Sequence, residues 1–251
     1  MAEHTREHRS VLAAVEKRAL VAIARRLPAA VNSDHLTALA LLAMALAGAG
    51  YALSRWDVRA LWIVVPALAL NWFGDSLDGT VARVRHVERP RYGFYVDHVL
   101  DIVGATLLFS GLAASGSMTP WIALALLIAY LLVSGEVFLA TSVRGVFRMS
   151  FSGFGPTELR ILLAIGTLAL FGDPHVNLGA LGRPRLFDFG GLIGIAGMTV
   201  ALTANVVRNA TALARLEPRC SVRLQPDPLQ SHRDLFLGGD QGNASRISST
   251  E

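Results

Sequence analysis

Eight residues between positions 75 and 101 have the types and the spacing to do chemistry. Asp75-x2-Asp78-Gly79-x2-Ala82-Arg83 is followed, after nine residues, by Gly93-x3-Asp97-x3-Asp101. On a helix at 100° per residue, Asp75, Asp78, Gly79 and Ala82 occupy roughly 100° of arc, and Arg83 borders them. Gly93, Asp97 and Asp101 recur every four residues and make a second narrow stripe. Two antiparallel helices joined by a short loop can turn these stripes toward each other. Four carboxylates gathered in this way repel one another and carry a large desolvation cost unless a cation compensates. Hard oxygen donors without His or Cys select Mg²⁺, Mn²⁺ or Ca²⁺, and a diphosphate would complete the coordination shell. One or two such ions suit phosphoryl transfer, with a carboxylate not committed to metal taking the proton of an attacking hydroxyl. Gly79, Ala82 and Gly93 are small enough to let a nucleotide lie against helix backbone, and Arg83 is a phosphate partner.

Each piece alone has a plainer explanation. A lone Asp-x2-Asp at a helix end is usually a solvated surface feature, and glycine in a membrane helix often serves packing only. The composite is different. Eight specified positions, each matched by chance roughly once in ten to twenty, coincide about once in 10⁸ starting points.

The elements that must position these residues are apolar. The chain has 251 residues, 53% of them hydrophobic and 17% charged, with a positive mean hydropathy, which removes it from the soluble class. Stretches near the length a helix needs to cross the hydrocarbon core fall at about 35–54, 58–82, 93–116, 120–140, 158–172 and 187–207, so the expected fold is all-α with six transmembrane helices. Residues 1–34 interleave Arg6, Arg9, Lys17, Arg18, Arg25 and Arg26 with apolar residues and are expected to form an amphipathic interfacial helix. Residues 35–210 make the membrane domain. Residues 211–251 read as a polar, disordered tail, because the apolar pattern is lost and Pro, Gly, Ser and Asp take over.

Of the 23 lysines and arginines, only Arg55, Arg59, Arg183 and Arg185 fall on the side opposite the second loop when six spans are drawn. The positive-inside rule then puts both termini and the carboxylate loop on the cytoplasmic side of a bacterial-type membrane. The basic pI near 9.8 is thereby explained without nucleic acid, for which no basic stripe interleaved with exposed aromatics exists. The single cysteine, Cys220, makes no intramolecular disulfide, and no Cys/His cluster has zinc spacing.

The stretch from Asp75 to Asp101 closely resembles the signature of the CDP-alcohol phosphatidyltransferase family, Asp-x2-Asp-Gly-x2-Ala-Arg-x8-Gly-x3-Asp-x3-Asp. Every named residue matches, and the one departure is a gap of nine residues instead of eight between Arg83 and Gly93. The resemblance implies a six-helix membrane enzyme that moves a phosphate-linked group from a CDP-linked donor onto an alcohol acceptor and releases CMP, with Mg²⁺ or Mn²⁺, in a homodimer. It implies Asp75, Asp78 and Asp97 as metal ligands and Asp101 as general base and further ligand, which makes Asp97 and Asp101 the catalytic pair. It implies Gly79, Ala82, Arg83 and Gly93 as the CDP cradle. Leu36-Thr37 resembles the start of the family's first helix, where the threonine approaches the nucleotide. Thr37 is equally a helix-start residue.

Gly155-Pro156-Thr157-Glu158 is similar to a segment of the choline and ethanolamine phosphotransferases, and it also reads as a simple helix start, with Thr157 as cap and Glu158 at the positive end. Arg144, Arg148 and Arg160, with Glu158, are candidates for holding a phosphate of donor or acceptor, or are positive-inside residues. Glu136 inside the fourth span should face the bundle interior. Trp62, Trp72 and Trp121 suit interfacial anchoring. The donor is CDP-diacylglycerol with a polar alcohol, or a CDP-linked polar alcohol with diacylglycerol. An ion-coupled transporter accounts for the acids but not for Gly79-x2-Ala82-Arg83, and transporters spread ionisable groups at mid-depth.

Overall fold

A computed structural model of the protein describes residues 11–144, 156–179 and 182–217. Among them are seven α-helices and no strand: α1 Val11–Arg26, α2 Ser33–Leu53, α3 Leu61–Val84, α4 Pro90–Ala114, α5 Pro120–Arg144, α6 Pro156–Ala169 and α7 Leu186–Leu216. Most starts have a local cause. Helix α2 opens on a reciprocal cap, in which Asn32 Oδ1 accepts the His35 backbone N–H and the Asn32 N–H reaches His35 Nδ1, satisfying two donors the helix leaves orphaned. Helices α4, α5 and α6 each begin on proline, whose missing N–H has no intrahelical partner to lose there. Before α3, Asp57 caps a short 3₁₀ turn, Val58–Ala60.

Five of the helices are long and apolar enough to cross a membrane: Ser33–Leu53, Val58–Val84, Pro90–Ala114, Pro120–Val143 and Leu186–Leu216. The sixth crossing expected at 158–172 corresponds to α6, which has only 14 residues and so covers about 21 Å, short of the roughly 30 Å of hydrocarbon. The last helix, in contrast, outruns its expected end, because Ala210–Leu216 is rich in alanine and leucine, which carry a helix onward from the membrane. The chain divides into a unit of residues 1–209 and a second from 210 onward. Of the second, the described residues are the closing turns of α7, and the remainder of the expected tail, 218–251, lies outside the described residues.

Helix α2 is the axis of the first unit and lies against both α3 and α4. The approach is close enough that side chains are excluded. A Cβ on Gly111 of α4 would run into the backbone carbonyl of Gly48 on α2, and one on Gly48 into the carbonyl of Leu107. In lipid, where burial of apolar surface gives little drive between helices, this backbone-to-backbone contact is how helices gain dispersion energy. The main core gathers Ala47 and Tyr51 of α2, Leu61 and Leu68 of α3, Leu112 of α4 and Met118 of the connection that follows it, and Tyr51 and Thr167 share a buried hydrogen bond of 2.7 Å that ties α2 to α6. A second cluster, with Leu20 and Ala24 of α1 against Leu36, Leu77 and Val81, docks α1 on α3. Trp62 and Trp121 are exposed as expected of anchors. Trp72 is not: its indole N–H donates to Glu16 of α1 at 3.1 Å, so it serves helix packing.

Candidate active site

The last turns of α3 and the first of α4 run antiparallel, joined by residues 85–89. Arg85 closes this junction. Its guanidinium donates to the carbonyl oxygens of Val31 at 2.5 Å and of Leu27 and Pro28 at 3.0 Å, capping the turn between α1 and α2. His86 takes a left-handed φ of 55°, which lets the chain reverse within five residues. Arg89 then ion-pairs with Asp34 at 2.5 Å and lies 4.0 Å over the Tyr92 ring. The nine-residue gap between Arg83 and Gly93 is thus absorbed in a loop held by its own arginines.

At this end Asp75 of α3 and Asp97 and Asp101 of α4 each place one carboxylate oxygen so that all three lie within 4.8 Å of one another. At that separation each pair of charges costs about 3.5 kcal/mol or more at an effective dielectric near 20. Among the described residues, Asp97 has the His98 imidazole 3.8 Å away and Asp75 has a guanidinium. Arg160, near the start of α6, donates to Asp75 Oδ2 at 2.7 Å, and both side chains are largely covered. Three converging carboxylates make a donor set that is entirely hard oxygen, so the residues fit a divalent cation such as Mg²⁺ or Mn²⁺.

Asp78 is not among the three that meet within 4.8 Å, and its carboxylate is engaged by neighbouring donors. Its Oδ2 accepts the Thr37 hydroxyl at 2.8 Å and its Oδ1 accepts the Gly79 N–H at 2.5 Å. The cause is the close approach of α2, where the Ser33 hydroxyl also donates to the Asp78 carbonyl at 3.0 Å. Asp78 remains an electrostatic neighbour of Asp75 and Asp97. Thr37 is therefore brought to the motif, and its hydroxyl also lies 3.0 Å from the Ser33 carbonyl, one turn back in α2.

Arg83 is exposed and donates to the Thr80 hydroxyl at 3.2 Å. A Cβ on Gly79 would stand 3.3 Å from Arg83 Nη1, so the glycine leaves room for the guanidinium. Ala82 is half-buried on the same face. A Cβ on Gly93 would meet no atom within 4 Å, so internal packing does not demand glycine there and the space beside it is open.

Helix α5 adds residues that the sequence did not single out. Tyr130 hydrogen-bonds Ser134 and is an electrostatic neighbour of Asp101, Arg160 and Asp75. Nothing marks Tyr130 in an apolar span; only the Ser134 one turn on, a polar residue on the same helical face, gives a signal. His98 meets Phe138 edge-on, with ring centroids 4.5 Å apart, and Phe109 lies 6.4 Å from Tyr130, and these two contacts help set the register that puts Asp101 opposite this part of α5. Glu136 faces α7 and accepts from Asn209 at 2.6 Å, while Arg208 donates to Asn205 at 2.7 Å. Of the candidate phosphate-binding residues, Arg160 is on Asp75. Arg148 and the side chains of Arg144 and Glu158 lie outside the described residues.

The model of one protein family, described as CDP-alcohol phosphatidyltransferase, matches residues 31–206, well over half of the chain. Comparison with curated proteins gave no match.

Proposed function

This chain belongs to the CDP-alcohol phosphatidyltransferase family, and we propose that it transfers a phosphatidyl group from CDP-diacylglycerol to the hydroxyl of a polar alcohol. Membership makes it a membrane transferase of substituted phosphate groups, acting between a CDP-linked donor and an alcohol in phospholipid biosynthesis. The observation that supports metal-assisted transfer is the convergence of Asp75, Asp97 and Asp101 from two helices, and the choice of CDP-diacylglycerol over a CDP-linked polar alcohol rests on the match of Asp75 to Asp101 to the usual form of the family's signature.

In this reading Asp75, Asp97 and Asp101 hold the divalent ion, with Asp78 near enough to join them. A bound Mg²⁺ or Mn²⁺ would neutralise the diphosphate and the departing CMP. Asp101 accepts the proton of the acceptor hydroxyl. The acceptor oxygen then bonds to the phosphorus that bears the diacylglycerol, and the bond from that phosphorus to the bridging oxygen breaks, so CMP leaves with the electron pair. Arg83 receives a phosphate of the donor, and the bare backbone at Gly79, Ala82 and Gly93 admits the nucleotide. Thr37 holds Asp78. Arg160 orients Asp75 and has further N–H groups with which it would meet a phosphate. Helix α6, short as it is, makes the sixth crossing, and the carboxylates then face the cytoplasm together with the arginine-rich segments.

CMP release by the purified, detergent-solubilised protein tests this, with Mg²⁺ or Mn²⁺ and either CDP-diacylglycerol or CDP-choline offered against a panel of alcohols, and Asp97→Asn as the blank. Metal-dependent release from CDP-diacylglycerol with a polar alcohol is expected. Release only from CDP-choline with diacylglycerol would transfer the assignment to the pairing suggested by Gly155-Pro156-Thr157-Glu158, and absence of CDP binding would overturn the reading.

A further inference from the structure

We infer that the end of the bundle opposite the carboxylates carries a site for the phosphate of a phospholipid headgroup. Helices α2, α4 and α6 finish at this end and α3, α5 and α7 begin there. Their junctions enclose a cavity of about 180 Å³ bounded by Ser54, Leu61, Ser117, Leu170, His175 and Arg185. That volume is well below the roughly 300–1,000 Å³ of pockets that enclose whole small molecules, so the cavity takes one compact group.

The charge at this end decides which group. Arg183 and His175 both lean on the carboxylate of Asp173. Arg185 has no such partner: among the described residues no carboxylate lies within ion-pair distance of it, yet it lines the cavity. Its planar guanidinium is suited to two phosphate oxygens at once. The Ser117 hydroxyl borders the same space, whereas that of Ser54 is spent on the Tyr51 carbonyl at 2.6 Å. The Arg185 guanidinium and the Ser117 hydroxyl, with no acidic side chain among the described lining residues, suit an anion.

Its depth decides the source of that anion. Trp56, Trp62 and Trp121 are all exposed around this end, as aromatic side chains are at the headgroup level of a bilayer. Trp62 stacks on Phe171, with ring centroids 4.6 Å apart, directly after the Leu61 and Leu170 that line the cavity. Exposed Val58 and Trp62 continue the wall as an apolar surface along which acyl chains can lie. The phosphate of a lipid in the leaflet away from the carboxylates would therefore meet Arg185 with its tails already on the protein.

The test is native mass spectrometry of the full-length protein in detergent with dioleoylphosphatidylglycerol, in parallel with thermal stability in inorganic phosphate. Arg185→Gln should retain about fivefold to tenfold less lipid than the unaltered protein, and Arg185→Lys, which keeps the charge but not the fork, should fall between the two. Arg59→Gln, which removes a charge at the same end but outside the cavity, should change nothing. CMP release should be the same in all of these variants. Equal lipid retention in Arg185→Gln and the unaltered protein would refute the site. Stabilisation by inorganic phosphate through Arg185, with no Arg185-dependent lipid retention, would make it a free-anion site and overturn the lipid assignment. Should Arg185→Gln not fold, His175→Gln takes its place in both measurements: reduced lipid retention supports the site and unchanged retention refutes it.

Discussion

The two ends of the helical bundle are built from the same apolar helices and differ in how they treat charge. At one end three carboxylates crowd within 4.8 Å with, among the described residues, one arginine, Arg160, paired to them. At the other, the acid Asp173 is matched by Arg183 and His175, Asp57 is spent on capping a turn, and Asp188 accepts both the backbone N–H and the hydroxyl of Thr119 at the start of α5. Acidic residues are thus satisfied by protein at one end and left wanting a cation at the other. Repulsion between crowded carboxylates is relieved either by a proton or by a bound cation. Charge imbalance, and not charge count, separates the reactive end from the structural one.

The contrast can be broken most sharply at Asp97. Asp97→Asn should lower CMP release on the order of 10³-fold or more and flatten its dependence on divalent ion concentration; activity near that of the unaltered enzyme would remove Asp97 from the centre. Asp101→Asn should cost about 10²-fold to 10⁴-fold in turnover while leaving CDP binding largely intact, as loss of a general base does. A parallel loss of CDP affinity, read by calorimetry, would instead make Asp101 chiefly a ligand. Between the two ends, Gly111→Leu should destabilise the detergent-solubilised protein by about 1–3 kcal/mol or more, since the added side chain must push α4 off the Gly48 carbonyl. An unchanged melting temperature would mean that the α2–α4 contact is not what holds the bundle.

Smaller effects refine the picture. Thr37→Val removes the hydroxyl from Asp78 and should raise the Michaelis constant for the CDP donor about tenfold, in keeping with the roughly 1.5–3 kcal/mol of a hydrogen bond to a charged group. At the far end, Arg183→Gln breaks an exposed ion pair with Asp173 and should change stability by no more than about 1 kcal/mol and CMP release not at all. A large effect there would contradict the division of labour between the two ends.

Much of this architecture is legible before any coordinates. Helical periodicity of about 3.6 residues places Asp75, Asp78, Gly79 and Ala82 on one face whatever the tertiary fold, and four-residue recurrence does the same for Gly93, Asp97 and Asp101. Long apolar runs mark five helices. The sixth is harder, because α6 is shorter than a bilayer and length is the only signal a hydropathy reading has. The end of α7 lies beyond its expected place for a related reason: loss of hydrophobicity marks the end of the membrane, whereas a helix continues as long as its residues favour it.

The inventory and its order therefore follow from the amino-acid sequence alone: apolar helices, a carboxylate motif straddling one short loop, and membership of a family legible in eight residues. How those residues divide is settled by tertiary contact. Asp78 is held by Thr37 and Ser33 because α2 comes close enough to reach it, and Arg160 joined Asp75 from 85 positions away. Tyr130, unremarkable in its apolar helix, came beside Asp101 through the register that His98 and Phe138 help set between α4 and α5. Spacing along a chain fixes which side chains share a face of one helix. Which faces meet depends on where glycine and alanine let two backbones touch, and that is a property of pairs of helices that no single stretch of sequence contains.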